Sequence, residues 1–158
     1  MQPGLDIVPA FEKGKMNYKD YEISIINNVN SWNGVKTVEA RKNYDEDTFD
    51  YFYLNGVPIG NGRFEPFINQ AEAEETVKDF INKRTDEDII HEHYHILISW
   101  NKKIERDLSE SQSAFEAGDV NEAIDVINNI GKLKINLDEH WRKSLLGHLN
   151  QYREKHLK

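Results

Sequence analysis

The chain has 158 residues, a formal net charge of −8, 30% charged and 38% hydrophobic residues, and no cysteine. That is enough chain for one ordinary domain or two small ones. It excludes disulfides, thiolate nucleophiles and cysteine zinc sites, and its acidity argues against a protein that works by neutralising nucleic-acid phosphates. Mean hydropathy is −0.76, no run approaches the roughly 18 apolar residues of a membrane span, and the start lacks a basic segment followed by an apolar one. The expectation is a cytoplasmic protein with neither a membrane nor a direct nucleic-acid partner.

Residues 1–16 carry Pro3, Gly4, Pro9 and Gly14 without periodicity and read as an irregular arm whose Ile7, Val8 and Phe11 dock on the body. Residues 17–84 read as a sheet-plus-helix part. Tyr21, Ile23 and Ile25 alternate with polar residues as in a half-buried strand, and a second strand is expected over Val35–Arg41. Phe49–Leu54 and Val57–Phe64 flank Asn55-Gly56, a dipeptide that tolerates the positive φ of a tight hairpin turn. Asn69 followed by Glu72 opens a helix as a capping box, with Ala73, Val77, Phe80 and Ile81 forming its apolar stripe.

Residues 85–158 read as a helical bundle packed on the first part. Thr85 is the expected N-cap, with Asp86, Glu87 and Asp88 in the first turn. From Ile90 through Tyr94, Leu97, Asn101, Ile104, Leu108, Ser111 and Phe115 the pattern follows one long seam, through which self-association is a further expectation. Gly118 closes that seam. Asp119 with Glu122, then Asn136 with Glu139, open two more helices, one facing inward through Ala123, Ile124, Ile127 and Ile130 and the other through Trp141, Leu145 and Leu149. Trp32, Trp100 and Trp141 are expected core anchors. The predicted class is α+β: a small antiparallel sheet of about four strands with a packed helix, followed by a three-helix antiparallel bundle.

His91-Glu92-His93-Tyr94-His95 has the H-E-x-x-H spacing that puts two imidazoles on one helix face with a carboxylate beside them. This string and Gly118-Asp119-Val120-Asn121-Glu122 together resemble the gluzincin, thermolysin-like metallopeptidases. The resemblance implies zinc held by His91, His95 and Glu122, with Glu92 as general base. It covers two short segments only. The Ser-Asp expected after the ligand segment is replaced by Asp125-Val126, and Ile98 stands where the three-His relatives need Gly. At about 100° per residue, Ile89, Ile90, His93, Tyr94, Leu97 and Trp100 fall on one side of the helix, and His91 and His95 fall on the other with Asp88, a natural exposed ion-pair partner for His91.

Charge is unevenly spread. Between Thr85 and Asp125 eleven carboxylates face only Lys102, Lys103 and Arg106, and after residue 140 Arg142, Lys143, Arg153, Lys155 and Lys158 face only Glu154. Either the two blocks pair, or the acidic one meets a basic partner. The favoured reading is a non-catalytic, acidic protein-interaction module without a cofactor, docking on a basic protein surface through Glu105, Glu110, Glu116 and Asp119. A phage- or mobile-element-type inhibitor that covers a nucleic-acid-binding groove is one form of it; the small zinc peptidase is the alternative.

Overall fold

Alternation at Tyr21, Ile23 and Ile25 does build a strand, and all three side chains are buried. A computed structural model of the chain describes residues 11–28, 35–132 and 139–156. The chain is α+β, a four-stranded antiparallel sheet followed by helices. Strands β1 (Phe11–Tyr18), β2 (Tyr21–Asn28), β3 (Val35–Asn43) and β4 (Phe49–Leu54) lie side by side in chain order. Strands β5 (Val57–Gly60) and β6 (Arg63–Glu65) form a separate ribbon. The helices are α1 (Gln70–Lys83), α2 (Asp86–Trp100), α3 (Glu105–Glu116), α4 (Val120–Ile130) and α5 (Glu139–His156), with a 3₁₀ turn over Lys102–Ile104. Ile7, Val8, Trp32 and Asn136 lie outside the described residues.

Two compact units emerge. One takes the chain up to Asn43 and from Asp50 to Lys83; the other takes Tyr44–Phe49 and everything from Arg84. The sequence suggests a division at residue 84; the two units part between Lys83 and Arg84, with Tyr44–Phe49 grouped with the second. The sequence reading leaves Phe11–Met16 in an irregular arm, whereas these residues are β1, paired in register from Phe11↔Asn28 to Tyr18↔Tyr21. The turn between β1 and β2 is Lys19-Asp20, with φ of 49° and 69°. Non-glycine residues rarely take that conformation, so sequence gives little notice of the hairpin.

In the first unit Tyr21, Ile23 and Ile25 of β2, Val38 and Ala40 of β3 and Phe52 and Leu54 of β4 pack with Phe67 and with Ala73, Val77 and Ile81 of α1. Each large apolar side chain buried there is worth about 1.5–3 kcal/mol relative to exposure. Asn69 accepts from Glu72 N–H (2.9 Å) as expected, while the Glu72 carboxylate accepts from Ile68 N–H (2.9 Å). Asn55-Gly56 is not the hairpin turn. Neither residue has positive φ, and the reversal falls at Gly60-Asn61-Gly62, with φ of 103°, 53° and 72°. Gly56 is required for another reason: a Cβ there would collide with the Glu65 carbonyl of β6.

The second unit is built around Tyr94, Leu97, Leu108, Ala123, Ile127, Leu145 and Leu149. Its seam is divided. The Asn101 side chain donates to the Leu97 carbonyl (2.9 Å) and its backbone turns out of the helix at φ −130°, ψ 67°, so α2 and α3 stand where one long helix is expected. Tyr94 donates to Ser111 (2.7 Å), which donates to the Ala123 carbonyl (2.9 Å), and burial pushes the Tyr94 phenol up to about 12.

Candidate functional site

Helix α2 begins as its sequence requires. Thr85 accepts from Asp88 N–H (3.1 Å) and the Asp88 carboxylate accepts from Thr85 N–H (3.0 Å), a reciprocal cap that takes Asp88 away from the His91 pair expected of it. Ile89, Ile90, His93, Tyr94 and Leu97 are buried. Trp100 does not join them: it ends the helix and is 67% exposed.

The H-E-x-x-H residues have local partners. Gln112 of α3 donates to His91 Nδ1 at 3.1 Å, Glu116 Oε2 lies 3.9 Å from the same nitrogen, and the imidazole meets the Phe115 ring edge-on. His95 is exposed. Glu92 receives both arms of Arg84, each at 2.7 Å, and the Arg84 side chain is only 3% exposed. A carboxylate held in a two-point ion pair is not placed to take a proton from water. Glu122 sits exposed in the first turn of α4. Among the described residues no three His, Asp or Glu side chains converge as metal ligands. His91, His95 and Glu122 are therefore not brought together as the metallopeptidase resemblance implies.

A serine and two histidines do meet in the second unit, and their burial explains them. His93 donates from Nδ1 to the Ile89 carbonyl (2.9 Å), leaving Nε2 to face the Ser144 hydroxyl (2.8 Å). That hydroxyl accepts from Phe49 N–H (3.0 Å) and also lies 3.0 Å from the Phe49 carbonyl, which accepts from His148 Nε2–H at 2.7 Å. Ser144 is wholly buried, and His93 and His148 are nearly so. The cluster satisfies the backbone of Phe49 rather than presenting a nucleophile, because a nucleophile needs substrate access. The Phe49 ring stacks on His140 and meets Trp141 edge-on. Preceding it, Asp45 accepts from Thr48 N–H (2.8 Å) and Asp47 N–H (3.0 Å), bonds that hold its carboxyl below the usual range.

The α3–α4 hairpin carries the acidic block. Gly118 has φ 87°, its N–H donates to the Phe115 carbonyl (3.0 Å), and Asp119 N–H donates to the Ala114 carbonyl (2.9 Å). This is a Schellman stop. Asp119 then caps α4 by accepting from Glu122 N–H (3.1 Å), so the segment that resembles a ligand motif is turn-and-cap chemistry. From Glu105 to Ile130 there are seven carboxylates and one cation, Arg106.

Glu105, Glu110, Glu116 and Asp119 are all exposed but do not share one face. At about 100° per residue, Glu105 and Glu116 lie within about 20° of each other around α3, and Glu110 lies far round the helix beside Asp107. Lys102 pairs with Glu105 at 3.1 Å. Asp107 and Glu110 have no cation partner among the described residues, and with Val126, Asn129 and Ile130 of α4 they line a cavity of about 240 Å³. The i, i+3 spacing of the acids was available in the sequence; their position across from the α4 residues follows only from the fold. Three of the C-terminal cations have partners other than the acids of the α3–α4 hairpin: Arg142 bonds Glu139 and the Ile127 carbonyl, Lys155 bonds Asp86, and Arg153 bonds Asn121 and Asn150. Arg142 also holds the Glu139 carboxyl below its ordinary range. No helix of the described residues is long and apolar enough to cross a membrane.

No family model matches the chain, and neither a curated protein nor a solved structure matches it.

Proposed function

We propose that the protein is a non-catalytic interaction module whose α3–α4 hairpin docks on a basic protein surface. The observation that carries the reading is the hairpin's seven carboxylates with Arg106 as the one cation in the same stretch; Lys102 pairs with Glu105, and the bonds of Arg142, Arg153 and Lys155 go to groups other than these seven. A carboxylate field of that kind steers and orients a cationic partner, and its effect fades as salt screens it. An inhibitor of the phage or mobile-element type, presenting carboxylates where a nucleic-acid-binding enzyme expects phosphates, is the form of this function we favour.

The test is titration of the protein against a panel of purified basic nucleic-acid-binding proteins at about 0.05 M and about 0.5 M salt. Binding to at least one member is expected, weakening steeply at the higher salt. A variant with Glu105, Glu110 and Glu116 changed to Gln and Asp119 changed to Asn should bind more weakly while folding normally, since Asn also serves as an N-cap. Absence of any binding, or tight binding indifferent to both salt and the substitutions, would sink the reading.

A further inference from the structure

We infer that the cavity between α3 and α4 is a socket for one arginine side chain of the partner protein, an inference that rests on the interaction reading above. Two carboxylates stand on one wall. Asp107 and Glu110 are three residues apart on α3, which places them one turn apart on the same face, and neither has a cation partner among the described residues. The other wall is supplied by α4. Val126 and Ile130, four residues apart, give it an aliphatic lining, and Asn129 also lines it.

An arginine has both chemistries in the right order: a methylene stem that gains from an apolar wall and a planar cation with several donors for carboxylates. It is also less strongly hydrated than an ammonium, so seating it in a groove costs less desolvation than seating a lysine. The cavity holds about 240 Å³, below the roughly 300–1,000 Å³ typical of cofactor and drug-sized ligand sites. Its size and charge therefore suit a single protruding side chain. A socket of this kind is the sort of anchor that dominates an interface, whereas carboxylates scattered on the rim contribute mainly to encounter.

The experiment uses the full chain, isotope-labelled, titrated with acetyl-Gly-Arg-Gly-amide and with the matching citrulline and lysine peptides while backbone amide shifts are followed. The arginine peptide should give saturable shifts centred on Asp107, Glu110, Val126, Asn129 and Ile130, with the citrulline peptide giving none. Glu110→Gln or Asp107→Asn should weaken that response by roughly fivefold or more, and Glu116→Gln, the same charge change on the same helix outside the cavity, should leave it in place. A response spread equally over Glu116, Asp119 and Glu122, equal losses in E110Q and E116Q, or no saturation would overturn the socket and leave the interaction reading standing. An equal response to the lysine peptide would overturn the choice of arginine. Saturation here combined with failure of the basic-protein panel would sink the interaction reading alone.

Discussion

Glu92 shows how a partner eight residues away decides what a side chain can do. In the sequence it is the base of an H-E-x-x-H string; in the fold it is the two-point acceptor for Arg84, whose side chain is almost fully buried. Glu92→Gln, the substitution that would be chosen to silence a zinc peptidase, is expected to lower unfolding stability by about 1–3 kcal/mol, because it strips a charge-assisted pair from a buried guanidinium. His95→Ala, at an exposed position, should change stability by no more than about 0.5 kcal/mol. Urea unfolding of both variants checks this, and equal stabilities would show that the pair contributes nothing. Helical spacing was enough to put His93 and Tyr94 inside and His95 outside. It could not reveal Arg84, which precedes the helix and reaches forward to a residue eight positions on.

At the level of elements, one helix and one short segment fit each other closely enough to reverse an ordinary propensity rule. Gly147 lies inside α5, where Ala is normally favoured by up to about 1 kcal/mol. Here an added Cβ would land on Thr48 Oγ1, and Thr48 is buried. Gly147→Ala should therefore destabilise the protein, by about 1–3 kcal/mol as overpacking does, and Gly147→Ala combined with Thr48→Ala, which removes the clashing Oγ1, should recover part of the loss. A single variant that melts higher than the wild type would refute the steric account. Elements with strong local chemistry were readable from sequence: the Thr85 cap, the Asp119 cap and the Gly118 stop each rest on residues within a few positions. The break at Asn101 and the reversal at Gly60-Asn61-Gly62 were not, since a continuous apolar seam and a competing Asn-Gly dipeptide pointed elsewhere. Both depend on which backbone groups find partners once the neighbours are in place.

The whole molecule consists of two units, and the second is discontinuous in sequence, made of Tyr44–Phe49 and the chain from Arg84 onward. Nothing in the composition of Asn43-Tyr44-Asp45-Glu46-Asp47 marks it as anything but a polar strand connection, which is why its grouping with the second unit leaves no trace in the sequence pattern. The energetic consequence is specific. Phe49 is 2% exposed, and its N–H and carbonyl are the partners of Ser144 and His148. A fragment beginning at Arg84 keeps every helix of the bundle but loses those partners, exposing His93, Ser144 and His148 around an empty place. Each buried polar group left without its partner costs about 1–3 kcal/mol, and a deleted phenylalanine adds about 3–5 kcal/mol. Such losses are comparable to the whole stability of a small domain, about 5–15 kcal/mol. The fragment 84–158 is therefore expected to retain helical circular dichroism but to lose a sharp unfolding transition and slow amide exchange in α5. Adding a synthetic peptide spanning residues 43–50 should restore both in proportion to its concentration. A fragment that unfolds as cooperatively as the full chain without the peptide would show that Tyr44–Phe49 is dispensable to the bundle.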